Sequence, residues 1–332
     1  MTNTQAFYYT VAMNSHSMQK LYLSTAQNGP LCVGLDTDPS YLPESIVKSF
    51  SSPAQAVLAY NKAIIQRIAP TENSAGLAGC CKVQIAYYEA MGLEGLAVYA
   101  QTLKEVRKSG LPVIADIKRG DIADTAKAYA RAHFSGDFES DIITVNPYMG
   151  FDTLSPFIDF AKPENGGKGV FVLLRTSNPG MADLEKLPID SAYARFAKET
   201  VLDRVGSQLK TIASEFEKIY PEANCSPVGA VVGCTEESDA KQLRNTYPEI
   251  FFLIPGYGAQ GGAARIAATL LGKAGGTVNS SRGILTAWKK NENLLEKLAN
   301  ATITIDDIAD AAAMAACISK QELLKAANLL KD

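Results

Sequence analysis

PVIADIKRGDIADT, residues 112–125, holds the pattern that decides the fold. It opens as a short apolar run built on Val113 and Ile114. It then breaks into alternating charges at Asp116, Lys118, Arg119 and Asp121, and helical spacing takes over from about 122 to 134. An apolar run of strand length, a charged loop and then a 3.6-residue period make one β-then-α unit.

The same unit recurs in both directions along the chain. Strand-like runs stand at LCVGLD (31–36), CCKVQIAY (80–87), DIITVN (141–146), GVFVLLRT (169–176), VGAVVG (228–233), IFFLIP (250–255) and TVNSS (277–281). Helical spacing covers 53–69, 93–110 (closed by Gly110), 191–217, 236–246 and 262–271. Another helix starts near 283, and one or two more close the chain. Continuous apolar strands are those of a parallel sheet buried on both faces. A doubly wound open sheet gives the same alternation, but the count reaches eight and no linker interrupts it. The expected fold is therefore α/β, a (β/α)8 TIM barrel in a single domain over 16–332 with extra C-terminal helices. MQKLYLSTAQNG (18–29) reads as a helix that closes the barrel floor, and residues 1–15 as a poorly ordered extension.

Composition agrees with this and narrows the function. The 332 residues are 47% hydrophobic and 20% charged, with a net charge of -3, so no broad basic surface for nucleic acid is expected. No apolar run approaches the length of a membrane span, and the first residues lack the basic-then-apolar order of a secretory signal. Six cysteines, Cys32, Cys80, Cys81, Cys225, Cys234 and Cys317, form no CxxC pair, and there are two histidines, His16 and His133. These numbers argue against a zinc site and for reduced, buried thiols in a cytoplasmic protein. Tyr87, Tyr88 and Trp288 read as packing residues.

A barrel puts its active site at the C-terminal ends of its strands. Those ends carry Asp36, Lys82 (within strand two), Asp116, Lys118, Asn146, the run Arg175 to Asn178, Pro255 to Gln260, and Ser281 with Arg282. Strand alternation points Asp116 and Lys118 to one side, and Lys82 on the neighbouring strand can join them. Buried ion pairs rarely improve stability, so a cluster of this kind is weighed as a preformed electrostatic device against a structural salt bridge. Asp121 has a local reading as N-cap of the following helix, with Asp124 adding charge to the first turn.

DIKRGDIADT resembles the D-x-K-x-x-D-I-x-x-T signature of the orotidine 5′-monophosphate decarboxylase family. CVGLD, KVQIAYY, TVNPYMG, RTSNPG, IPGYGAQGG and VNSSRGI, in that order, are similar to its bacterial and protozoan branch. The likeness runs from about residue 20 to 290. It implies a cofactor-free lyase of pyrimidine biosynthesis that makes UMP and CO2 from orotidine 5′-monophosphate. By that match Lys82, Asp116, Lys118 and Asp121 form the charged catalytic tetrad, and Lys118 is the proton donor to C6. Asp36 and Lys82 hold ribose hydroxyls. Asp121 and Thr125 reach into the partner's site of a homodimer, and Ile122 is an apolar contact to it; the i, i+4 spacing of Asp121 and Thr125 fits one helix face. Ser177 meets the pyrimidine, although its local sequence TSNPG also reads as a plain turn. Asn146 orients its loop or touches the tetrad.

Pro255 and Gln260 line the ligand by the same match, while Ser281 and Arg282 hold the phosphate. GYGAQG (256–261) taken alone fits a dinucleotide fingerprint. It comes at unit seven, however, and no acidic residue ends the next strand. The loops after strands seven and eight are a common phosphate site in barrels, and Arg282 can grip phosphate with two donors. Ser281 stands where relatives commonly carry glycine, which puts the local φ at issue. Three other readings remain: an Mg2+-dependent sugar-phosphate barrel, a nucleotide binder without turnover, and a nicotinamide enzyme. Metal dependence, UMP binding without turnover, and NAD binding respectively would identify them.

Overall fold

A computed structural model describes residues 15–233, 236–256, 261–272 and 274–328. The expected residues 1–14 of the N-terminal extension, Cys234 and Gln260 lie outside the described residues. Eight strands pair in parallel in sequence order and close on themselves: β1 Leu31–Gly34, β2 Cys80–Gln84, β3 Val113–Arg119, β4 Ile142–Val145, β5 Gly169–Arg175, β6 Val228–Val232, β7 Phe252–Ile254 and β8 Gly276–Ser280. Besides short helices at Glu44–Lys48 and Ile85–Glu89, the helices are α1 Ser17–Asn28, α2 Pro53–Ile68, α3 Gly92–Lys108, α4 Ala123–Phe134, α5 Ser155–Ile158, α6 Val201–Ile219, α7 Glu237–Thr246, α8 Gly261–Leu271, α9 Arg282–Leu285, α10 Glu292–Ala299 and α11 Ile305–Asn328 among the described residues. The TIM barrel expected from the run of apolar strands is the fold. None of the described helices is long and apolar enough to cross a membrane.

Two hydrophobic layers hold the barrel. Outward-facing residues such as Leu31, Val33, Val83 and Val113 pack against the helices, while Cys32, Cys80, Ile114, Ile142, Phe171, Val231, Phe251 and Leu253 fill the interior. The interior layer is finished from below by Met18 and Leu21 of α1, both fully buried. That helix is capped by His16, whose Nδ1 accepts from the Gln19 N–H at 3.1 Å. It is the floor-closing helix read from the sequence. Each large apolar side chain buried here contributes on the order of 2 kcal/mol, so the plug is a substantial part of the core.

Some boundaries differ from the sequence reading. The strand expected over 80–87 ends at Gln84, whose side-chain oxygen accepts from Ala86 N–H and starts a short helix. The helix expected over 191–217 begins only at Val201, where Thr200 and Asp203 form a reciprocal capping box. The segment before it follows turns, pinned by a bridge between Pro188 and Thr200. The fourth crossover is reduced to α5 and 3-10 turns rich in proline. Cys32, Cys80, Cys81 and Cys225 are buried, unpaired thiols. Tyr88 and Trp288 are packed with their polar ends bonded to the carbonyls of Leu35 and Tyr41.

Candidate active site

Strand parity builds the site. Cys32, Cys80, Ile114 and Ile142 point into the barrel, so the residues two positions further along, Gly34, Lys82, Asp116 and Thr144, face the same side nearer the C-terminal mouth. Three of these carry polar groups, and one leaves a gap.

Lys82 is the hub. Its Nζ lies 2.8 Å and 3.1 Å from the two oxygens of Asp36, and 3.2 Å from Asp116 Oδ2. The other oxygen of Asp116 lies 2.7 Å from Lys118 Nζ. Two carboxylates and two ammoniums thus alternate along one chain of contacts. Lys82 and Asp116 are nearly inaccessible, whereas the Lys118 side chain is 46% exposed at the mouth. Burial alone would discharge Lys82, but Asp36 and Asp116 beside it outweigh that and hold its ammonium well above the ordinary lysine value. Burial likewise opposes charge on Asp116. Lys82 and Lys118 outweigh it, and with the Thr144 hydroxyl they bring that carboxyl down to about 2.

Lys118 reaches Asp116 by a route that strand alternation does not describe. Ala115 pairs with Ile143 and Arg119 with Val145, so four steps along β3 face two along β4. The surplus forms a bulge over 116–118. Within it Lys118 adopts φ 44°, a left-handed conformation that costs a non-glycine residue roughly 1–2 kcal/mol.

The gap at Gly34 is filled from β8. Ser281 Oγ donates to Asp36 Oδ2 at 2.7 Å and accepts from Asn279 Nδ2 at 3.0 Å. A Cβ on Gly34 would sit 1.9 Å from that hydroxyl. Ser281 has φ −116°, outside the left-handed region, so this position does not call for glycine's conformational freedom. Its side chain serves the charged cluster, a placement the sequence reading did not anticipate. Arg282 follows it, exposed and without a side-chain hydrogen bond or salt bridge among the described residues.

The remaining candidates fall into two groups. Ser177 and Pro255 flank Gly233: a Cβ there would lie 2.9 Å from Ser177 Cβ and 3.3 Å from Pro255 Cγ, so loops five and seven meet at this point. Asp121, Ile122 and Thr125 stand apart from their own chain's cluster. Asp121 is not the N-cap of α4. The cap position is Ile122, and the Asp121 carboxylate accepts from the adjacent Ile122 N–H at 2.8 Å. Because α4 starts at Ala123, Asp121 and Thr125 are not a helical i, i+4 pair. Asp124 does lie in the first turn. Ile122 is 55% exposed and Thr125 is exposed, as are Tyr148 and Met149 of the next loop in sequence. Asn146 does not touch the cluster; its side chain accepts from Tyr148 N–H and shapes its own loop.

Sequence reasoning passed over Thr144 and Asn279. Both are buried polar residues at interior parity, Thr144 in the otherwise apolar strand IITV and Asn279 beside Cys32 in GTVNS. That mismatch is the signal that could have found them.

The arrangement is a mouth with a balanced, preorganised set of charges, the exposed ammonium of Lys118 and the exposed guanidinium of Arg282. A family model described as the orotidine 5′-phosphate decarboxylase / HUMPS family matches residues 29–296. The chain is 50% identical over 278 residues to the orotidine 5′-phosphate decarboxylase of Clostridium botulinum (strain Hall), covering 82% of this chain and 90% of that one. It is 46% identical over 281 residues to that of Clostridium kluyveri, covering 84% and 91%. Among solved structures, Leishmania donovani OMP decarboxylase matches with a TM-score of 0.61 at 27% identity, over 89% of this chain and 99% of that one.

Proposed function

The chain belongs to the orotidine 5′-phosphate decarboxylase family and converts orotidine 5′-monophosphate to UMP in pyrimidine biosynthesis; we propose that Lys118 is the acid that returns a proton to C6 of the pyrimidine. The bond from C6 to the carboxylate breaks, CO2 leaves, and the electron pair stays on C6. A proton from Lys118 Nζ closes the new C–H bond, and the neutral amine recovers its proton from water. The observation that carries this reading is the 2.7 Å contact that aims the exposed Lys118 ammonium from Asp116 into the mouth. A fixed ammonium stabilises the carbanion as it develops, which is favoured over stress on the substrate carboxylate as the main source of rate.

Asp36 and Lys82 then take the ribose hydroxyls, Ser177 meets the pyrimidine, Pro255 and Gln260 line the ligand, and Ser281 and Arg282 hold the phosphate. The exposed guanidinium of Arg282, without a side-chain hydrogen bond or salt bridge among the described residues, supports the phosphate assignment. Both carboxylates of the cluster are already engaged by ammoniums, which supports chemistry without a metal or other cofactor. Asp121 is assigned to the site of the partner in a homodimer, with Ile122 and Thr125 beside it. The exposure of Ile122 and Thr125 supports this, as does the Asp121 carboxylate's bond to the adjacent Ile122 N–H. A cytoplasmic location belongs to the same reading, since buried unpaired thiols suit a reducing compartment.

The test is turnover of orotidine 5′-monophosphate in EDTA, followed by loss of ultraviolet absorbance, with Lys118→Ala alongside. Metal-free turnover that falls about a thousandfold or more in the variant is expected. A Lys118→Ala enzyme that keeps its rate removes Lys118 from the role.

A further inference from the structure

We infer that Thr144 is the positioning residue of the proton donor: its hydroxyl holds the bulge that carries Lys118 and, at the same time, the carboxylate that Lys118 meets. The inference rests on the reading of Lys118 as the acid.

The bulge creates a problem that Thr144 solves. Where β3 gains two residues over β4, the N–H groups of Ile117 and Lys118 lose their places in the ladder. Buried N–H donors without partners are costly. Thr144 Oγ1 accepts from both, at 3.0 Å from Ile117 N and 2.9 Å from Lys118 N. Its own proton goes to Asp116 Oδ1 at 2.8 Å, the same oxygen that meets Lys118 Nζ. One hydroxyl has two lone pairs and one proton, so this atom is fully used. A buried threonine that served packing alone would need one partner, and valine would fill its volume in a β-strand equally well.

The consequence is specific to Lys118. Its backbone sits in a left-handed conformation that neighbouring contacts must hold in place. Its side chain ends on a carboxylate whose orientation is set by Lys82 on one oxygen and by Thr144 on the other. Thr144 therefore fixes both ends of the lysine, the main chain and the target. Asp36, Ser281 and Arg282, assigned to ribose and phosphate, do not bond to Thr144. Its loss is thus expected in the chemical step and not in ligand affinity.

The experiment compares Thr144→Val, Thr144→Ser and Lys118→Ala with the unmodified enzyme, reading kcat and the dissociation constant of UMP. Thr144→Val is expected to lose about 100-fold in kcat, the scale of a misplacement near 1 Å, with UMP affinity unchanged within about threefold. Thr144→Ser keeps the hydroxyl and is expected to stay within about threefold of the unmodified kcat. A Thr144→Val enzyme with full kcat overturns the inference. So does a serine variant as impaired as the valine one, or a loss of UMP affinity that matches the loss of rate. If Thr144→Val does not fold, Thr144→Ser and amide exchange in the unmodified protein still decide. Slow exchange at Ile117 and Lys118, kept in the serine variant, supports the role, and fast exchange at either removes it. Lys118→Ala separates the two levels: if it retains turnover, the proton-donor reading has failed whatever Thr144 does.

Discussion

The hydroxyl of Ser281 lies 2.7 Å from Asp36 Oδ2, in a space that exists because Gly34 has no side chain. Residues about 245 apart in the chain thus meet at the point where β1 and β8 close the barrel. Gly34→Ala is expected to push this hydroxyl off Asp36 and lower kcat/KM. In the double variant Gly34→Ala, Ser281→Gly most of the clash disappears, so the two changes should couple by about 1 kcal/mol or more when measured as a double-mutant cycle. Simple additivity would show that the two positions do not share this space.

Lys82 separates two carboxylates that would otherwise face each other. Lys82→Met is expected to let the Asp116 carboxyl rise from about 2 and to cut kcat/KM by about 100-fold or more, because one partner of a buried charge set has been removed. The pH–rate profile checks this: the variant should gain an acid limb at higher pH than the unmodified enzyme shows.

Arg282→Ala should weaken UMP by about 10- to 100-fold, the scale of one or two charge-assisted hydrogen bonds, and leave uridine, which lacks the phosphate, unaffected. Calorimetric titration of the two ligands makes the comparison. An equal loss for both would take the phosphate assignment away from Arg282.

A composite site can be tested by mixing defective chains. Lys118→Ala and Asp121→Ala homodimers should each be inactive or nearly so. After subunit exchange, the mixed dimer holds one site with both residues intact, so an equimolar mixture should recover about a quarter of full activity. No recovery after demonstrated exchange would place Asp121 outside the partner's site.

Acid sensitivity should arise at the bottom of the barrel. Burial pushes the His16 imidazole down to about 4, and it caps α1 through an unprotonated Nδ1. The group is depressed on folding, so the unfolded chain takes up its proton first. Its stabilisation is complete above the ordinary value near 6.5 and is lost as the pH falls from there toward 4. Stability should drop by on the order of 1 kcal/mol per pH unit in that window. His133, also pushed down to about 4 by burial, adds to it. Urea unfolding at pH 7 and pH 5 reads the slope, and His16→Asn, a cap that does not titrate in this range, should reduce it.

The barrel was legible because buried parallel strands leave continuous apolar runs, and eight of them alternate with helical stretches. The floor helix was legible as a further helical segment ahead of the first strand. The ends of elements were not, since they depend on local capping: Thr200 with Asp203 delays α6, and Gln84 cuts β2 short. At the site, alternation gave the right neighbours for Asp116 by an incomplete argument. A left-handed lysine leaves no mark in a sequence as a glycine would, so the bulge at Lys118 could not be read. Ser281 was read through its backbone because the vacancy that receives its side chain is supplied by Gly34, from the other end of the chain. Asp121 looked like a helix cap because the start of α4 was placed one residue too early.

The stopper formed by Met18 and Leu21 makes the barrel a vessel with one opening. With Phe171 and Phe251 filling the interior behind it, the described residues close the floor with packed side chains. Substrate, CO2 and nucleotide product must share the same doorway. On the proposed assignment, CO2 forms at the Asp116 side and the phosphate is held at Arg282, so both products leave past the loops that carry Ser177, Pro255 and Arg282.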